Sequence, residues 1–197
     1  FNNPGYTKRW QANIYNCIPN YSEMGKEATT GFTGIWNLMS GQVVANTTAV
    51  GTQMLTGFNS SNASFHRWAT LYKYIRQGFI FLDNAKDYMG SEQDVSYISK
   101  KDMDRLKAET KFLIAYSYFS LFELYGPVPL ITEIEDPENK TIDYPRASVD
   151  EIVNYIDRLL QEVLDSNALP ETLFTESASG SLDYEHNNDR YNLKEIV

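Results

Sequence analysis

The stretch from Ala108 to Glu133, AETKFLIAYSYFSLFELYGPVPLITE, is the most apolar and aromatic part of this chain, and it runs into a Gly-Pro-x-Pro sequence. Its apolar period, with a charged entry turn before it, predicts a helix over 101–125. Phe112, Ala115, Phe119 and Phe122 fall on one stripe, which Leu106, Leu113 and Leu124 widen. A helix apolar over so wide an arc has to sit between other helices. On this reading Phe112, Tyr116 and Phe119 are core residues. Gly126 ends the helix where positive φ is easy, and Pro127 and Pro129 stiffen the exit.

Three other segments carry a helical period. Over 6–18, Trp10, Ile14, Cys17 and Ile18 share a face and Pro19 is the stop. Over 65–88, Trp68, Leu71, Tyr72, Ile75, Phe79 and Leu82 repeat at three and four, with Ser64 as the expected N-cap. Tyr74 and Phe81 fall off that stripe, so a second face should be covered as well. Over 148–165, Val149, Ile152, Val153, Ile156, Leu159, Leu160 and Val163 form the apolar face. Ser148-Val149-Asp150-Glu151 fits a capping box, in which the serine and glutamate side chains each satisfy a backbone donor at the helix start. Asp150 and Glu151 also suit the positive end of the helix dipole.

The connectors are long. Residues 20–64 are rich in Gly, Thr, Ser and Asn yet hold Phe32, Trp36, Leu38, Val43, Val44 and Phe58, which predicts a short helix near 32–38 and surface loops. Residues 126–145 read as extended, because each proline pushes its predecessor out of helical geometry. Residues 166–191 form an acidic, Asn/Ser-rich polar loop, and RYNLKEIV after it looks like the first turn of a fifth helix. The fold class is all-α, with helix–turn–helix pairing in the tetratricopeptide manner and long irregular loops, although no shared repeat consensus is visible.

Charge and composition exclude several functions. The 197 residues carry 26 acidic against 17 basic side chains, a net charge of −9, with no basic stripe to track phosphates. Nucleic acid and anionic membrane surfaces are therefore poor partners. Cys17 is the single cysteine, which leaves no internal disulfide and no cysteine metal cluster, and reads as a small buried hydrophobe. No apolar run is long enough to span a bilayer. The opening FNNPGY has no basic region of a signal sequence, so the expectation is a cytoplasmic protein or one whose targeting segment has been removed.

Catalytic signatures are missing. The chain has no dinucleotide fingerprint, phosphate-binding P-loop, nucleophile elbow or zinc-protease helix. His66 and His186, its two histidines, give a histidine triad or metal site little to draw on. The run from Asp183 to Asp189 alternates oxygen ligands as a calcium loop would, but it lacks the central glycine and has Lys194 where the bidentate glutamate belongs. Glu133, Glu135, Asp136 and Glu138 are neighbours on one loop, a poor way to hold two carboxyls across a glycosidic bond. Asn46, Asn59 and Asn62 each open a glycosylation-type triplet, a pattern too short to fix a compartment. No enzyme activity, cofactor or metal is expected.

The order of segments resembles a known family. Ala108-Glu109-x-x-Phe112-Leu113-x-Ala115-Tyr116-x-Tyr118-Phe119-x-Leu121, followed by Leu124-Tyr125-Gly126-x-Val128-Pro129-Leu130, resembles the central motif of the SusD/RagB family. Trp68-x-x-x-Tyr72-x-x-Ile75 is similar to its preceding helix, and Pro145-Arg146-Ala147-Ser148-Val149-x-Glu151-Ile152 with Leu169-Pro170 to its following one. The resemblance covers roughly residues 65–170. Two positions depart from the pattern: Ile114 stands where the family usually has arginine, and Phe79 where it commonly has asparagine.

The resemblance implies a SusD-like N-terminal helical domain, a fragment of a chain of about 500 residues. It implies a non-catalytic, lipid-anchored protein on the extracellular face of the outer membrane of a Gram-negative bacterium. Such a protein captures oligosaccharide for a partner SusC-like TonB-dependent transporter. The anchoring cysteine would lie upstream, since Tyr15-Asn16 before Cys17 does not fit a lipobox. A peptide-binding member of the same family, or a helical-repeat adaptor that binds only protein, are the alternatives. The family's ligand surface is built partly from loops between the first helix and the Trp helix. On composition, Trp36, Phe58, Asn59 and Asn62 are the candidates there, because rings suit the apolar faces of sugars and amides their hydroxyl rims.

Overall fold

The computed structural model describes residues 1–18, 67–87, 90–91, 93, 97–134 and 144–169. Four helices run through them: α1 (Pro4–Ile14), α2 (Trp68–Asn84), α3 (Lys100–Tyr125) and α4 (Val149–Ser166), with a 3-10 turn, Tyr15–Cys17, after α1. Each lies where the apolar periods predict a helix. The chain divides into two compact units, Phe1–Tyr15 with Leu71–Val197, and Asn16–Thr70. The predicted N-cap Ser64, the short helix expected near 32–38, the oxygen-rich run 183–189 and RYNLKEIV lie outside the described residues.

Local chemistry sets the helix starts. Asn3 caps α1 by accepting the Tyr6 N–H at 3.1 Å, and Pro4 follows in the first turn, where a missing N–H costs nothing. Ser99 caps α3 by accepting the Asp102 N–H at 3.1 Å. The capping box of α4 is complete: Ser148 Oγ accepts the Glu151 N–H at 3.2 Å, and the Ser148 N–H donates to Glu151 Oε2 at 2.7 Å. These bonds, the backbone one first, hold the Glu151 carboxyl below its ordinary range. That support for the helix start is present above the usual carboxylate range and is lost as pH falls through the lowered value. Gly126 ends α3 at φ 68°, the positive value that glycine adopts without penalty.

In the larger unit α3 is the central helix. Leu106, Leu113, Ile114, Ala115, Tyr118 and Leu121 are buried on it, together with Glu109, Thr110, Ser117 and Ser120. The hydroxyls that interrupt its apolar run are satisfied internally: Thr110 Oγ1 donates to the Leu106 carbonyl and Ser117 Oγ to that of Leu113, each at 2.7 Å. Such back-bonding lets a polar side chain sit in a packed interface without the cost of an unmade hydrogen bond. The carboxylate of Glu109 accepts from Gln11 Nε2 of α1 at 3.0 Å and lies 3.6 Å from Arg105 Nε. A buried charge requires such partners.

α2 approaches α3 closely at Gly78. A Cβ at that position would come within 2.8 Å of Ile114 Cγ1 and 2.9 Å of Ile114 Cδ1. Glycine inside a helix is unfavourable by roughly 1 kcal/mol relative to alanine, and here the close approach explains it. Ile114, one of the two departures from the family pattern, is fully buried against that glycine.

Three helix faces are rotated from the expected ones. Phe119 is not a core residue: it is 51% exposed, Phe122 is half-buried, and the fully buried ring of α3 is Tyr118. Because α3 is apolar over most of its circumference, its period alone does not single out the outward edge, and the partners fall on the Tyr118 side. On α1, Trp10 lies at the margin, 37% exposed, while Thr7, Gln11 and Ile14 face inward. Its indole N–H donates to the Gln77 carbonyl at 3.1 Å and its ring meets Phe1 edge-on at 5.4 Å. On α4, Ile152, Tyr155, Leu159 and Val163 are buried, whereas Val149 and Val153 are exposed. The expected second covered face of α2 is present in Phe81, which is fully buried, and Cys17 is buried as its reading as a hydrophobe requires.

Phe81→Ala should lower stability by roughly 3–5 kcal/mol, the cost of deleting a buried ring. Phe119→Ala should cost about 1 kcal/mol or less, since half of the ring already meets water and alanine is the better helix former. Urea denaturation of the two variants beside the parent measures both.

Candidate functional site

The candidate ligand residues Trp36, Phe58, Asn59 and Asn62 all fall in 19–66, outside the described residues. What the structure describes is the frame around that segment. Arg67, immediately after it, is buried and donates from Nη2 to the carbonyl of Cys17, just before it, at 2.6 Å. Both residues belong to the smaller unit, so one charge-assisted hydrogen bond ties the entry of the long segment to its exit. Bringing the ends of a long segment together costs closure entropy, and this bond offsets part of that cost.

The second part of the frame is the exit from α3. Every carbonyl from Pro127 to Pro129 accepts from a named donor: Arg146 Nη1 reaches Pro127, the Ala147 N–H reaches Val128 at 3.0 Å, and Tyr72 Oη reaches Pro129 at 2.6 Å. Tyr118 Oη makes a double contact, donating to the Ile131 carbonyl at 2.5 Å and accepting the Ile131 N–H at 2.9 Å. Arg146 Nη1 also donates to the Tyr125 carbonyl at 3.2 Å. Extended chain cannot satisfy its own backbone, and these side chains do so for it.

The tyrosines touch one another as well. Tyr118 meets Tyr72 edge-on at 6.4 Å between centroids and Tyr155 edge-on at 5.5 Å. Tyr155 in turn carries the Arg158 guanidinium 5.0 Å from its ring centre. Rings from α2, α3 and α4 thus form a continuous column, and the hydroxyls of Tyr72 and Tyr118 hold the chain beyond Gly126. Burial pushes the hydroxyls of Tyr72 and Tyr155 up to about 12, so both stay protonated through the neutral range. The column is a device of support rather than of proton transfer.

Arg67 and the hydroxyl functions of Tyr72 and Tyr118 are not among the residues expected from the sequence. Their visible signal was tyrosine rather than phenylalanine at apolar positions, since a buried phenol needs a partner for its hydroxyl. Among the described residues, no three His, Cys, Asp or Glu side chains gather as a metal site, and no helix is long and apolar enough to cross a membrane.

With this geometry in place, comparison with known proteins is decisive for the family. Residues 12–181 match the SusD-like model described as starch-binding and associating with the outer membrane. The chain belongs to the SusD-like family. Among solved structures, it is similar to a laminarin-binding SusD-like protein, with a TM-score of 0.59 and 22% identity over 86% of this chain and 35% of that one. It is also similar to the protein titled BT4246, with a TM-score of 0.56 and 20% identity over 92% of this chain and 29% of that one. At these identities the likeness shows the fold, and the chain spans about a third of the length of either structure. A comparison with curated proteins finds no match.

Two measurements test the frame. Arg67→Ala should cost roughly 1–3 kcal/mol in urea denaturation, because it leaves the Cys17 carbonyl buried without this donor. Stability should also fall as pH rises from about 10 towards 12. The unfolded chain releases tyrosine protons near 10, while Tyr72 and Tyr155 keep theirs until about 12. Ultraviolet phenolate absorbance should show a late-titrating fraction, smaller in Tyr72→Phe.

Proposed function

We propose that this chain is part of a non-catalytic, cell-surface protein that binds oligosaccharide and delivers it to a SusC-like TonB-dependent transporter in the outer membrane. The observation that carries the reading is the match of residues 12–181 to a family described as starch-binding and associating with the outer membrane. The likeness in fold to a laminarin-binding protein supports a glycan rather than a peptide as ligand. Attachment by a lipid upstream of the chain, facing outwards, follows from the same reading.

Within it, residues 20–64 supply ligand contacts, with Trp36 and Phe58 stacking on apolar sugar faces and Asn59 and Asn62 hydrogen-bonding to hydroxyls. Sugar recognition uses this combination because each ring offers a flat C–H surface edged by hydroxyls. The Arg67–Cys17 bond holds the ends of that segment together. The proline segment beyond α3 is scaffold, since its carbonyls are already occupied by Tyr72, Arg146 and Ala147.

Calorimetry of the full-length protein against a panel of glucan oligosaccharides and peptides tests the proposal. Binding to at least one glycan and none of the peptides is expected. Trp36→Ala or Phe58→Ala should weaken it about tenfold or more, or ~1.4 kcal/mol, as loss of a stacking ring does. Binding confined to peptides, or turnover of any glycan by the pure protein, contradicts it.

A further inference from the structure

The outer face of α1 carries rings where a surface helix ordinarily carries charge. Tyr6, Trp10 and Asn13 recur at four and three along it, so they form one row, and all three are exposed. Tyr6 is 69% exposed, although the inward side of the same helix is filled by Thr7, Gln11 and Ile14. The rings are nevertheless held. The Trp10 indole N–H donates to the Gln77 carbonyl of α2 at 3.1 Å, and Phe1 packs edge-on against the indole. Asn13 Nδ2 donates to Gln77 Oε1 at 3.0 Å, so Gln77 positions both the indole and the neighbouring amide. The Arg9 guanidinium lies 5.9 Å from the centre of the Tyr6 ring, a cation–π distance. Groups fixed in this way lose little freedom when a ligand arrives.

The row suits one kind of ligand. Four residues of helix rise about 6 Å, close to the span of one sugar unit, so successive sugars of a chain would meet successive rings. Flat C–H faces stack on rings, and the hydroxyls at their rims take amide and guanidinium groups. The net charge of −9 disfavours anionic ligands, whereas a neutral polysaccharide needs no opposite charge. A protein partner is a poorer occupant. A stable protein interface covers about 800 Å² on each side, far more than a row of three side chains offers.

We propose that Tyr6, Trp10 and Asn13, with Arg9 and Gln77 at their edge, form a second contact surface for neutral glycan chains. It lies on the larger unit and is separate in sequence from residues 20–64. The inference rests on the reading of the protein as a glycan binder. Its added consequence is retention on polymers: a second weak contact strengthens binding to a chain that offers many repeats at once.

Affinity electrophoresis of the full-length protein, in native gels containing soluble starch or laminarin, tests this. The parent should be retarded in at least one gel. Tyr6→Ala and Trp10→Ala should each weaken that retardation about threefold or more, the scale of a lost stacking contact. Phe119→Ala, which removes an exposed ring from α3, should run as the parent does. Trp10 also packs against Phe1 and Gln77, so circular dichroism of Trp10→Ala identifies a folding defect. Tyr6→Ala, whose ring is largely in solvent, then decides. If Trp36→Ala weakens retardation while both α1 variants match the parent, this inference falls and the wider reading stands. A parent retarded in neither gel also overturns it, and the calorimetric panel, read separately, decides whether the wider reading falls with it.

Discussion

The fold depends on how the chain leaves its central helix. A helix as apolar as α3 needs neighbours on several sides, yet the residues after it must turn away from helical geometry within one step. Gly126 makes the turn at φ 68°, and Pro127 and Pro129 keep the chain extended. That extended segment then presents a row of backbone groups with no ladder to join. Tyr72 of α2, Tyr118 of α3, and Arg146 and Ala147 on the approach to α4 take them up. The same contacts that satisfy the segment also bind α2, α3 and the approach to α4 to one point.

This arrangement explains why tyrosine rather than phenylalanine stands at 72 and 118. Tyr118 fills core volume, stacks edge-on against Tyr72 and Tyr155, and uses its hydroxyl on both backbone groups of Ile131. Phenylalanine would fill the space and leave those groups unmet. The proline motif is therefore a scaffold. The segment to which ligand contacts are proposed, 20–64, is flanked by Cys17 and Arg67, which meet in a hydrogen bond.

Much of this was legible before any coordinates. The four helices follow from apolar spacing, the capping box from Ser148 and Glu151, and the end of α3 from Gly126, because each rests on residues close together in the chain. What could not be read is rotation. Phe119 shares a stripe with Phe112 and Ala115, yet it faces outwards, because the neighbours of a broadly apolar helix are set by elements distant in sequence. Val149 and Val153 were placed in the core for the same reason: the period of α4 spans two faces, and only one of them meets α3. The hydrogen bonds of the Tyr72 hydroxyl with Pro129 and of the Arg67 guanidinium with Cys17 join residues far apart, so no local pattern announces these partners. The candidate ligand residues rest on composition alone, and they lie in 19–66 outside the described residues.

The most direct test of the account is Tyr118→Phe, which keeps the ring and removes the hydroxyl that joins α3 to Ile131. Hydrogen exchange at the Ile131 amide, read together with urea denaturation, is the measurement. The account predicts a loss of roughly 1–3 kcal/mol, as expected when a buried backbone pair loses its partner, and a matching loss of protection at Ile131. Unchanged stability with Ile131 still protected would show that the proline segment is held by something else, and that the tyrosine column is packing alone.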